Sequence, residues 1–187
     1  MLNISKKLIG YSNLLEKLKL HFTNNSLPNS IIFHGLEGIG KTTFSYFLIN
    51  KIYMSLTNPN LHSHHNNLIY NNSHPNLRIL KKEVDLKTKK FRNYIIIDQI
   101  RNLENFIYQS GTDNLPKFII IDSADDLNVN SANALLKILE EPKKNTYFIL
   151  ISNQLSLLIP TIRSRCIKFA FSNPSIDQFR EIMHNNI

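Results

Sequence analysis

Short apolar runs punctuate this chain, separated by longer segments whose apolar residues fall three and four apart. The runs at 31–33, 77–80, 94–97, 117–121 and 147–151 predict strands, and 165–169 a last short one. Consecutive apolar residues without alternation are what a strand covered on both faces requires. Helices are predicted at 14–22, 43–53 and 131–141, the last stopped by Pro142. Leu14, Leu15, Leu18 and Leu20 are available for a stripe on the first, and Phe44, Phe47, Leu48 and Ile52 for the inward side of the second. A further helix is expected to start at Asp98 as N-cap and run through Ile100, Leu103, Phe106 and Ile107, a spacing that makes one face. Ser175 and Gln178 offer a capping box for a final helix. Segment 23–29 reads as a polar loop broken by Pro28, and 58–76, crowded with Asn, His and Pro, as the least structured stretch. The basic run KKEVDLKTKKFR at 81–92 reads as a solvated loop, with a DNA-backbone role the minority reading. Strands alternating with helices predict an α/β fold with a doubly wound parallel sheet.

The first apolar run leads directly into candidate chemistry. Residues 31–45 read IIFHGLEGIGKTTFS, in which Gly35, Gly40, Lys41 and Thr42 fit the phosphate-loop pattern G-x-x-x-x-G-K-S/T. Glycines let the backbone wrap so that N–H groups face phosphate oxygens, and the helix that follows adds its positive end. Gly35, Gly38 and Gly40 would shape the loop, with Thr43 beside it. Lys41 would reach the β- and γ-phosphates, and the Thr42 hydroxyl would ligate Mg²⁺. Farther on, Phe118-Ile119-Ile120-Ile121-Asp122 places a carboxylate where a buried strand ends, the edge of an open α/β sheet at which ligands collect. Asp122 is therefore the expected second holder of Mg²⁺. The ligand expected is Mg-ATP or Mg-ADP. Ser123 follows Asp122 where many such ATPases carry a glutamate to orient water, so hydrolysis by this chain is expected to be weak or absent.

Composition narrows the picture further. The 187 residues suffice for one domain with a proper core, and 42% hydrophobic with 19% charged residues describes a globular chain. No apolar stretch reaches the roughly 18 residues of a membrane helix, and the first residues, MLNISKKLIGYSN, lack a secretory core. Cys166 is the single cysteine, so an intramolecular disulfide is impossible. A cytoplasmic protein with no membrane partner is the expectation. The net charge of +8 and pI near 9.6 suggest polyanionic company, although a chain rich in Asn, Ile and Lys reaches such a charge without selection for nucleic acid.

Three segments carry a family resemblance. Residues 131–142, SANALLKILEEP, resemble the NALLK-LEEP helix of clamp-loader ATPases; residues 161–166, TIRSRC, resemble their Ser-Arg-Cys motif; residues 147–153, ending in Asn153, are similar to their sensor 1 strand. Order and spacing agree from Leu8-Ile9-Gly10 to the last strand. Within these AAA+ proteins, Ser73-His74-Pro75-Asn76-Leu77 and Ile97-Asp98-Gln99-Ile100-Arg101 are similar to stretches of the delta-prime family of bacterial DNA polymerase III. The resemblance implies a five-stranded AAA+ P-loop domain over 1–171, with 172–187 beginning a helical lid. It implies a complex of gamma/tau and delta clamp-loader subunits, a sliding clamp as partner, and primed DNA reached through the complex. It implies that Arg165 serves as an arginine finger acting on a neighbour's ATP, with Arg163 the nearest competitor, and that Asn153, or its neighbour Ser152, is sensor 1.

Two departures accompany it. The family's four-cysteine zinc module cannot form with Cys166 alone, and His62, His64, His65 and His74, which occupy that region, are expected to face solvent, so no zinc is expected. The resemblance also calls for a lid and a collar after the sheet, of which only the lid's start is within this sequence, as in a fragment or a short form. A catalytic gamma/tau-type ATPase is the first rival; the missing acid after Asp122 speaks against it. A small-substrate P-loop enzyme leaves the Ser-Arg-Cys motif unexplained, and a nonenzymatic DNA-binding module rests on charge alone.

Overall fold

The computed structural model describes residues 8–85, 88–109, 111 and 113–185. They form two compact units, each described by itself. Residues 28–34 and 75–170 contain the sheet: β1 (Ser30–His34), β2 (Leu77–Leu80), β3 (Lys117–Asp122), β4 (Thr146–Ser152) and β5 (Ile167–Ala170). All neighbours are parallel, in the order β2-β3-β4-β1-β5. Register sets Ile119 against Phe148, and Ile121 and Ile32 against Leu150, so these five share one face. They join one apolar core with residues of α4 (Ile97–Tyr108), α5 (Val129–Glu140) and α6 (Pro160–Arg165). The intervening residues Ile31, Phe33, Phe118, Ile120, Ile149 and Ile151 are buried too, which accounts for the unbroken apolar runs.

The fourth helix carries the stripe its spacing predicts: Ile100, Leu103, Phe106 and Ile107 are all buried. Each contributes about 1.5–3 kcal/mol by leaving water. Its start differs from expectation. The N-cap position is Ile96, whose N–H donates to Gln99 Oε1 at 3.1 Å. Asp98 lies inside the first turn, where its charge still faces the helix's positive end and pairs with Arg101 at 3.3 Å. Because the helix begins so soon, 94–97 has no room for a strand; only Ile95 bridges to Leu127. Residues 165–169 also divide differently. Pro160 opens α6, a helix the sequence reading missed, which takes Arg165 as its last residue before β5 begins at Ile167. The NALLK-like segment is helical as expected, with Asn128 as N-cap accepting from the Ser131 N–H at 2.8 Å.

The other unit comprises residues up to 27, 35–74 and 171 onward. It holds α1 (Ser12–Thr23), α2 (Lys41–Leu56), α3 (His62–Tyr70) and α7 (Ile176–Asn185). Leu15 and Leu18 of α1 are buried, but Leu20 is exposed, since two residues' rotation turns it to the opposite side from Leu18. The second helix is buried on most sides, with Tyr46 and Ile49 inward and Phe47 only half-buried. Segment 58–76 is more ordered than its composition predicts: a 3-10 turn at Pro59–Leu61 leads into α3. Packing overrides the weak helix propensity of its His and Asn residues. His65 and His74 are buried rather than solvent-facing, with ring nitrogens 3.1 Å apart and His74 stacked on Tyr53. Asn50 and Tyr46 of α2 hydrogen-bond to Asn66 and Asn72. The reciprocal box at Ser175 and Gln178 forms as expected.

Candidate functional site

The glycine loop runs on from β1 into α2, and its shape depends on residues without side chains. Gly35 has φ +149°, and a Cβ there would lie 2.4 Å from the Phe171 carbonyl oxygen. Gly40, at φ +93°, is the N-cap of α2, a left-handed position that other residues adopt only at a cost. Lys41 is buried, and its Nζ donates to the carbonyls of Gly35 (2.7 Å) and Leu36 (2.6 Å). The ammonium thus fastens the start of the loop to the first turn of the helix and brings a full positive charge to the loop's interior. No side chain caps α2, and its first turn carries no acid, so nothing in that turn opposes an anion at its N-terminus. Thr42 and Thr43 lie in the same turn, both half-buried. These donors and charges can hold a polyphosphate. The Thr42 hydroxyl suits Mg²⁺.

In the sheet unit, Asp122 is the last residue of β3, half-buried, as its position after the apolar run predicts. A carboxylate there is an acceptor of the kind Mg²⁺ prefers. A 3-10 turn, Ala124–Asp126, follows Ser123. Asp125, in that turn, has a role that the pattern of the sequence does not single out. Its carboxylate accepts from Ser152 Oγ (2.7 Å), the Asn153 N–H (2.5 Å) and the Gln154 N–H (3.3 Å), and from Ser123 Oγ (3.3 Å). A single acid thereby clamps the end of β4 and fixes where Asn153 stands. The Ser152 hydroxyl is committed to that clamp, which leaves Asn153 the better sensor candidate of the two. Asp126 pairs instead with Lys82 at 3.1 Å. An acid two or three residues beyond a strand-end aspartate is a common turn feature, so sequence alone gave little signal for the clamp.

Arg165 ends α6 with its side chain partly exposed, its guanidinium bonded to Glu140 Oε1 (2.5 Å) and the Thr161 carbonyl (3.1 Å). Glu140 closes α5, the LEEP-bearing helix, so both resemblance motifs meet in one ion pair. Arg163, one half-turn earlier, is half-buried, and its Nε has no hydrogen-bond partner. Cys166 is buried, and burial pushes its thiol up to about 11, with Lys168 opposing the shift. Among the described residues there is no group of three or more His, Cys, Asp or Glu able to hold a metal.

A five-stranded parallel sheet of this order, with a glycine loop after its first strand and an aspartate ending its third, defines a P-loop NTPase fold of the AAA+ class. The chain belongs to the family described as DNA polymerase III, delta subunit, whose model matches residues 10–175. DNA polymerase III subunit delta' of Pseudomonas aeruginosa is 41% identical over 102 residues, which cover 54% of this chain and 29% of that one. The same-named subunit of Bacillus subtilis is 32% identical over 148 residues, 78% of this chain and 42% of its own. The chain spans less than half the length of these curated relatives. A DNA polymerase III, gamma subunit-related protein from Thermotoga maritima has the same fold, with TM-score 0.67 and 24% identity over 90% of this chain and 48% of its own. The RuvB Holliday junction branch migration motor of that organism follows, with TM-score 0.61 and 16% identity over 95% and 50%. No helix among the described residues is long and apolar enough to cross a membrane.

Proposed function

We propose that this chain is the AAA+ portion of a delta-prime-type clamp-loader subunit, working with gamma/tau and delta subunits to place a sliding clamp on primed DNA. Its main contribution there is Arg165, offered to the ATP of a neighbouring subunit. The observation that carries this reading is the position of Arg165: a partly exposed guanidinium at the end of α6, within the Ser-Arg-Cys motif, in a chain matched by the family over residues 10–175. A guanidinium beside a γ-phosphate neutralises charge that develops in phosphoryl transfer, and such fingers contribute on the order of 10³ or more in rate. The ion pair to Glu140 holds the side chain in one place before a nucleotide arrives.

The glycine loop binds Mg-nucleotide in this reading, with Lys41 on the phosphates and Thr42 and Asp122 assigned to the metal. Asn153 is assigned as sensor 1. Ser123 cannot stand in for a water-orienting carboxylate, so turnover by the lone chain stays well below about 1 s⁻¹, the low end of ordinary enzymes. Residues 172–187 are read as the start of the lid. Cytoplasmic residence follows from the same reading. Affinity capture of the full-length protein from its own cells tests it: recovery of the other polymerase III clamp-loader subunits is expected, and their consistent absence would contradict the assignment.

A further inference from the structure

Residues 81–92 carry six Lys and Arg against two carboxylates, and the clamp-loader reading gives them no task. The described ones, 81–85 and 88–92, are not a featureless loop. Val84 bridges antiparallel to Phe91, with the Arg92 N–H donating to the Glu83 carbonyl (2.9 Å) and the Asp85 N–H to that of Lys90 (2.8 Å). The Arg92 guanidinium pairs with Asp85 at 3.2 Å, which ties the two arms together. Bridge partners put their side chains on one face, and here both are left in water: Val84 is 43% and Phe91 75% exposed. Tyr94, three residues on, is 55% exposed. Lys82 is taken by Asp126, but Lys81, Lys89 and Lys90 are exposed and make no ion pair among the described residues.

An exposed phenylalanine costs solubility unless something covers it, and a protein partner for this patch would have to be strongly acidic. The combination present, flat aromatic faces among unpaired ammonium groups on a braced arm, matches a different ligand. Single-stranded polynucleotides offer unpaired bases to stack and a phosphate at every step to neutralise. A duplex has the phosphates but keeps its base faces hidden. We propose that the paired segments 81–85 and 88–94 form a contact site for single-stranded nucleic acid, with Phe91 stacking on a base and Lys89 and Lys90 on the backbone. This contact belongs to the chain itself and stands independently of the Arg165 reading.

The chain contains no tryptophan, so Phe91→Trp installs a single reporter at the stacking position. Fluorescence anisotropy with labelled 20-mers of oligo-dT and oligo-rU, and with a duplex of the same length, measures affinity from 50 to 200 mM salt. The wild-type chain should bind single strands at 50 mM salt, whether dT or rU, the tighter one naming the source. Phe91→Ala should weaken single-strand binding about tenfold and leave duplex binding unchanged. Joint replacement of Lys89 and Lys90 by Ala should lower the logarithmic salt slope by roughly 1.4. Oligo-dT should quench the Phe91→Trp reporter, while heparin should not. All three residues are exposed, and unchanged thermal melting verifies folding. No single-strand binding at 50 mM salt, unchanged affinity in Phe91→Ala, or equal quenching by heparin would each overturn the proposal.

Discussion

Nζ of Lys41 bridges two carbonyls at the start of the glycine loop, so this ammonium fastens the loop, and in the proposed function it also meets the phosphates. Lys41→Ala removes both, and ATP or ADP affinity measured by titration calorimetry should fall at least tenfold, about 1.4 kcal/mol or more. Affinity that survives the substitution would remove the loop from the binding account. Cys166 provides an independent check on packing. With its thiol raised to about 11 from an ordinary value near 9, the folded chain holds that proton more tightly than the unfolded one. Its contribution to stability is therefore complete below about pH 9 and is lost as pH rises from there toward 11. Alkylation by iodoacetamide at pH 8 should be slow in the folded chain and fast in urea; equal rates would show that the thiol is not enclosed.

Elements place these residues, and their ends are where the structure departs most from the pattern of the sequence. Helix α4 illustrates both sides. Its apolar stripe was legible from spacing alone because helical periodicity is fixed by geometry. Its two ends were not, because each is set by a side chain bonding to the backbone rather than by apolar spacing. Gln99 closes the N-terminus on Ile96, and Lys117 closes the C-terminus. Lys117 is buried at the start of β3, donating to the carbonyls of Phe106, Ile107 and Gln109, with its ammonium 5.0 Å from the Phe106 ring centre. Burial, and then nearby Lys143, lower its pKa. Lys117→Met keeps the aliphatic stem and leaves those carbonyls without their donor. A loss of about 1–3 kcal/mol in urea unfolding is expected; an unchanged midpoint would mean water replaces the cap without cost. Helices α3 and α6 were missed for a related reason, being short and dependent on buried neighbours rather than on propensity.

For the whole molecule, the class of fold was legible early. Its determinants are local: unbroken apolar runs for buried strands, and a phosphate loop between the first strand and its helix. The candidate site was legible where a motif fixes the spacing, as for Gly35, Gly40, Lys41, Thr42 and Asp122. The Asp125 clamp on Ser152 and Asn153 spans residues 27 and 28 apart, and the hold of Glu140 on Arg165 spans 25. Such pairings come from sheet register and helix packing, to which linear patterns give no access. The account of function turns on Arg165 acting outside its own chain, a property no measurement on the isolated domain reports. The most direct test is DNA-stimulated ATP hydrolysis by the reconstituted clamp-loader complex carrying Arg165→Ala in the full-length subunit. Hydrolysis at the neighbouring site should fall by about 10³, with assembly and this subunit's own nucleotide binding intact and only partial recovery in Arg165→Lys, because an ammonium lacks the planar fork. Undiminished hydrolysis in an intact Arg165→Ala complex would contradict the account.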